Sequence, residues 1–206
     1  RSSLFDIDLR RSWWSRIFLL PSRAVITSFA LVIAVGTLLL MLPASSINQQ
    51  SIGFINALFL STSATCVTGL SVLDISAQLS LFGQLVILCQ MQIGGLGIMT
   101  LSTFFVFMLS GKIGFTEREI LVDSFSQDPI GEMTQLLKMV VIVTFSIELV
   151  GAIILTTRFA FDYPFMKALY LGCFHSVSAF CNAGFSLFSD SFTSLRGDWV
   201  VNLTLI

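Results

Sequence analysis

Three observations predict an all-α integral membrane protein assembled from repeated units. The chain of 206 residues is 55% hydrophobic, holds 20 Phe and is only 11% charged, where a soluble domain averages about 25% charged. Its mean hydropathy of +0.90 agrees. Apolar runs of bilayer-spanning length alternate with short polar stretches. Finally, the run Ser63-Ala64-Thr65-Cys66-Val67-Thr68-Gly69 returns, altered, 115 residues later as Ser178-Ala179-Phe180-Cys181-Asn182-Ala183-Gly184. Across positions 59–71, seven of thirteen residues are identical in the second copy.

The elements follow in order. Residues 1–23 carry five Arg interleaved with Trp13, Trp14, Ile17 and Phe18, the mix that marks a membrane interface. They read as a cytoplasmic or interfacial helix ending near Pro21. Residues 24–42 hold no charge and as a helix would reach roughly 28 Å, one hydrocarbon core; Pro43 stops them. Residues 54–64 are apolar but would reach only about 16 Å, so they read as a half-helix, with a turn around Gly69. Residues 79–110 form the next long run. Its Gly94-Gly95-Leu96-Gly97 fits neither a GxGxxG nor a Walker spacing and reads as close helix packing or a bend. A polar stretch follows, with a turn at 129–131. Residues 139–157 form a span whose one charge is Glu148. Residues 165–179 are a second half-helix with its turn at 180–187, and Trp199 opens a further span.

The organisation expected is therefore an N-terminal segment (1–23), a first span–half-helix–span unit (24–110), a cytoplasmic linker (111–138) and a second unit (139–206) cut at the start of its last span. The chain reads as the first part of a longer one. Lys and Arg number five before the first span and none over 24–111. The positive-inside rule then places the N-terminus and the linker in the cytoplasm, and both half-helices enter from outside. Arg158, Lys167 and Arg196 run against that placement for the second unit.

Several function classes are excluded. With net charge −1 and no basic stripe, nothing suggests nucleic-acid binding. The cysteines at 66, 89, 173 and 181 form no CxxC pair and one His is present, so neither a metal centre nor a disulfide framework is expected, and no cofactor held by this chain.

The repeated turn carries the chemistry. Irregular backbone is tolerated at membrane depth only where it is buried in protein or lines water. There, carbonyl oxygens can replace an ion's hydration shell. Glycine permits backbone angles that can aim a carbonyl inward. A half-helix aimed from outside brings its C-terminal end to the membrane centre, and that end carries about half a negative charge. The pattern points to a cation pathway, since neither turn contains a basic residue.

These motifs resemble a known family. Residues 59–70, from Phe59 to Leu70, are similar to the first pore loop of the Trk/Ktr/HKT potassium transporters. Gln92-Ile93-Gly94-Gly95-Leu96-Gly97-Ile98-Met99-Thr100 resembles the helix that follows it, and residues 174–185 with Leu187-Phe188-Ser189-Asp190-Ser191 resemble the second pore loop. The likeness is greatest to the N-terminal half of the bacterial Ktr or Trk membrane subunit. It implies four span–pore half-helix–span units in a potassium-channel-like, pseudo-fourfold arrangement, in the cell (plasma or inner) membrane. It implies a selectivity filter at Cys66, Val67, Thr68, Gly69 and Cys181, Asn182, Ala183, Gly184, with potassium as substrate held by the carbonyls of Val67, Thr68, Asn182 and Ala183. It also implies a homodimer of full-length chains on a cytosolic nucleotide-binding regulatory ring, with membrane lipid around it. Relatives with Ser at the first filter glycine tend to pass sodium; Gly69 favours potassium. A sodium or sodium/potassium transporter of this fold is the alternative, and a non-conducting scaffold or an enzyme fits less well.

Four further residues stand out. Asp74 and Asp190 follow the two turns and could concentrate cations at an outer mouth or be solvated loop residues. His175 has no carboxylate nearby in sequence and reads as a packed, hydrogen-bonded His rather than a catalytic one. Glu148, inside a span, is a functional candidate or a helix-packing contact.

Overall fold

The computed structural model describes residues 21–110 and 129–205, and the described residues are helical with no strand. The elements are α1 (Pro21–Met41), a 3-10 turn (Pro43–Ser45), α2 (Phe54–Thr65), α3 (Ile75–Gln78), α4 (Leu81–Ser110), α5 (Pro129–Phe159), α6 (Phe165–Phe180), a second 3-10 turn (Thr193–Leu195) and α7 (Trp199–Leu205). The interfacial helix expected over 1–20 and most of the linker lie outside the described residues. Pro21 and Pro129 open helices, where sequence reading had placed an end and a turn. A proline lacks only an N–H that the first helical turn leaves unpaired anyway. Residues 129–138 are accordingly helical, and α5 starts ten residues ahead of the expected span at 139.

Among the described residues, two helices are long and apolar enough to cross a membrane, over Leu81–Ser102 of α4 and Leu137–Phe159 of α5. The apolar part of α1, Val25–Met41, and all of α2 are shorter. Large apolar side chains point outward, among them Ile142, Phe145, Leu149 and Ile153 on α5. In water such a surface would carry a large hydrophobic penalty; against lipid tails it carries none.

The helices pack as two triples. α1, α2 and α4 touch one another, as do α5, α6 and α7, and α4 joins the triples through contacts with α5 and α6. Corresponding positions play corresponding parts: Leu40 and Leu155 are fully buried, and so are Val86 and Val201, or nearly so. In each pair the two residues stand 115 apart. The loop after α1 is tied to the start of α4 by Ser80, whose amide donates to the Ser45 carbonyl at 2.9 Å and whose hydroxyl donates to the Ala44 carbonyl at 2.5 Å.

Candidate functional site

α2 and α6 end alike. A cysteine C-cap, Cys66 or Cys181, is followed by a residue in the left-handed region, Val67 at φ 57° or Asn182 at φ 55°. The next amide reaches back: Thr68 N–H donates to the Ser63 carbonyl at 2.8 Å, and Ala183 N–H to the Ser178 carbonyl at 2.7 Å. The inner pair closes too, Val67 N–H to Ala64 at 3.3 Å and Asn182 N–H to Ala179 at 2.8 Å. This is the Schellman arrangement, which satisfies carbonyls left open at a helix C-terminus. Asn tolerates left-handed backbone; a β-branched Val is an outlier there. Glycine follows in each, Gly69 at φ 77° and Gly184 at φ 70°.

The two turns meet. A Cβ on Gly69 would fall on the carbonyl oxygen of Ala183 and 3.3 Å from the Gly184 Cα, and a Cβ on Gly184 would lie 3.6 Å from the Gly69 Cα. On the open side lies a polar cavity of about 490 Å3, lined by Gly69, Ser71, Asp74, Gly184, Ser186 and Ser189 among others. Of the eight turn residues singled out in the sequence, Cys66, Thr68, Asn182 and Gly184 are exposed, Val67 and Gly69 are half-buried, and Cys181 and Ala183 are buried.

α4 supports both turns from behind. Gly94 sits where a Cβ would overlap the Thr65 carbonyl, and a Cβ on Gly95 would lie 2.6 Å from the Cys181 Sγ. The glycine cluster is thus a packing device inside a continuous helix, with no phosphate loop. Gln90, buried, donates from Nε2 to Ser61 Oγ at 2.6 Å and Thr65 Oγ1 at 3.2 Å. Ser61 Oγ in turn donates to the Ile33 carbonyl at 2.8 Å. Its counterpart Ser176 donates to the Glu148 carbonyl at 2.6 Å, and Ile33 and Glu148 stand at the same 115-residue offset. Sequence reading missed these anchors, although the identity of Ser61 and Ser176 in the two copies was the signal for them.

The remaining candidates divide. Asp74 lines the cavity, and its Oδ1 caps α3 by accepting from Ser76 N–H at 2.9 Å, Ala77 N–H at 3.1 Å and Ser76 Oγ at 2.7 Å. The Ser76 hydroxyl above all, with the two amides, holds its carboxyl below the usual carboxylate range despite some desolvation. Asp190 is not among the cavity-lining residues; it accepts from Ser194 N–H at 2.9 Å, and bonds to Ser194 lower its carboxyl likewise. His175 is packed, not poised for catalysis. Nδ1 lies 2.8 Å from the Leu171 carbonyl and Nε2 accepts from Leu187 N–H at 3.1 Å, which assigns the neutral Nδ1–H tautomer. Its ring stacks on Phe188 at 4.9 Å with edges of Phe159, Phe174 and Phe192 around it. It therefore pins the chain just after Gly184 to α6.

Comparison with known proteins identifies the family of the chain. The profile of the TrkH family, described as cation transport protein, matches residues 19–206. The Ktr system potassium uptake protein B of Bacillus subtilis is 42% identical over 185 residues, covering 90% of this chain and 41% of that protein. The protein of the same name from Vibrio alginolyticus is 36% identical, covering 89% and 40%. The potassium/sodium uptake protein NtpJ of Enterococcus hirae is 35% identical, covering 83% and 38%. The chain thus spans about two fifths of the length of these relatives. It belongs to the TrkH family of cation transport proteins, a family of membrane transporters and not of enzymes.

Proposed function

We propose that the whole protein takes up potassium across the cell membrane, through a filter formed by backbone carbonyls of the two turns and of counterparts later in the chain. The observation that carries this reading is the meeting of two matched helix ends at Gly69 and Gly184, beneath a polar cavity. Each helix C-terminus contributes about half a negative charge, and neither turn offers a cationic side chain to neutralise it. The carbonyls of Val67, Thr68, Asn182 and Ala183 are the ligands in this reading. Residues 24–110 then form one unit of a pseudo-fourfold pore and 139–206 part of a second. The N-terminus lies in the cytoplasm, and the full-length chain forms a homodimer on a cytosolic nucleotide-binding ring. The orientation rests on the five Arg before the first span and the Lys and Arg of the linker. Arg158 still counts against it although it pairs with Asp162 at 2.7 Å and with Asp198, because acidic neighbours contribute little to the positive-inside rule.

Gly69→Ser in the full-length protein tests the filter. The new Cβ would displace the Ala183 carbonyl, one of the ligands. The potassium/sodium uptake ratio is expected to fall by about tenfold or more, equivalent to about 1.4 kcal/mol of discrimination. An unchanged ratio rejects the assignment. The name of the Enterococcus hirae relative keeps a potassium/sodium transporter as the second reading, and a ratio near one in the unaltered protein would favour it.

A further inference from the structure

Among the described residues, side-chain hydrogen bonds link α4 to the second triple at three levels. Tyr170 Oη donates to Gln84 Oε1 at 2.9 Å, Gln92 Nε2 to Glu148 Oε2 at 3.1 Å, and Thr144 Oγ1 lies 3.9 Å from Met99 Sδ. The middle contact differs from the others in kind. Glu148 is 5% exposed and lies within the apolar run of α5. Its Oε1 is buried with no hydrogen-bond partner, and so is Gln92 Oε1. Two apolar side chains would fill this junction at lower cost, because a buried polar pair with unmet acceptors loses more hydration than it regains.

What the pair does gain is geometry. Glu148 reaches two elements at once. Its side chain holds Gln92 on α4, and its backbone carbonyl accepts the Ser176 hydroxyl of α6. Gln92 lies one short step before Gly94 and Gly95, the residues that rest on Thr65 and on Cys181. The ends of α2 and α6 therefore take their relative position from α4, and α4 is held at that depth by Glu148. Small displacements there move the turns, because close-packed interiors transmit strain rather than absorb it.

We propose that Glu148 is a positioning residue for ion selection, setting through Gln92 the separation of the two glycine turns. The proposal rests on the filter reading above. Its test uses the full-length protein in cells without other potassium uptake, comparing rubidium (as potassium tracer) with sodium uptake and measuring the amount of protein in the membrane. Glu148→Gln keeps a hydrogen-bonding partner for Gln92 and is expected to hold the ratio within about twofold, while Glu148→Leu lowers it by about tenfold. The double variant Gln92→Leu with Glu148→Leu leaves no stranded polar atom. It is expected to recover membrane abundance while the ratio stays low.

A double variant with the unaltered ratio, or a Glu148→Leu protein that is merely scarce, would show a packing role only and overturn the proposal. Gly69→Ser separates the two claims. If it lowers the ratio and the Glu148 variants do not, positioning fails and the filter stands. If it too leaves the ratio unchanged, the filter reading fails and the positioning role with it.

Discussion

Val67 and Asn182 occupy the same left-handed position with unlike side chains, and the difference has a measurable cost. Left-handed backbone costs an L-residue about 1–2 kcal/mol, and Asn relieves part of that by local hydrogen bonding. Val67→Asn is therefore expected to stabilise the protein by about 1 kcal/mol, read as a rise in the thermal midpoint in detergent. No gain would mean that the half-buried Val67 side chain packs well enough to offset its backbone. Sequence alone made the two turns legible, since Cys66 and Gly69 keep the spacing of Cys181 and Gly184. It did not reveal the left-handed Val67, because β-branched residues are the poorest candidates for that conformation. It read His175 as packed, but the phenylalanine cage around it comes from residues up to 17 positions away in the chain, beyond the reach of local pattern.

Helices were legible where apolar length decides them. The long runs became α1, α4 and α5, and the short ones became α2 and α6, with ends within a few residues wherever a proline or a polar turn stops the run. The miss at 129–131 has a physical source: Pro-Ile-Gly favours a turn locally, yet proline is equally at home in a first helical turn. α3 was also missed, because four residues leave no periodicity to detect. Its existence depends on the Asp74 cap. Asp74→Ala is expected to cost about 1 kcal/mol, measured by chemical denaturation. The pH dependence follows from the lowered carboxyl. The cap's contribution is complete above the unfolded value of about 3.9 and is lost as pH falls through the lower folded value. The stability difference between Asp74→Ala and the unaltered protein should therefore hold constant at neutral pH and shrink only in strong acid. A difference that vanishes already near pH 6 would contradict the cap.

At the scale of the whole molecule, α4 joins the two triples, and Gly95 packs closely against Cys181 at that joint. Gly95→Ala is expected to destabilise by about 1–3 kcal/mol through overpacking. Cys181→Ala in the same chain should recover part of it by removing the Sγ, while the Cβ at 181 stays 3.1 Å from the new methyl. Equal destabilisation in single and double variants would place the strain elsewhere. The sequence left the glycines of α4 as close packing or a bend and could not say which turn each one serves, since that depends on how one triple sits on the other. Gly94 rests on Thr65 of its own triple and Gly95 on Cys181 of the next. Such a contact is head-to-tail: the surface that receives differs from the surface that inserts. Repetition of a head-to-tail step either climbs as a spiral or closes as a ring, and in the pore proposed above the approach of Gly69 to Gly184 would bring successive turns toward a shared axis. In a closed ring Cys66, exposed among the described residues, would be the receiving surface that completes the circuit.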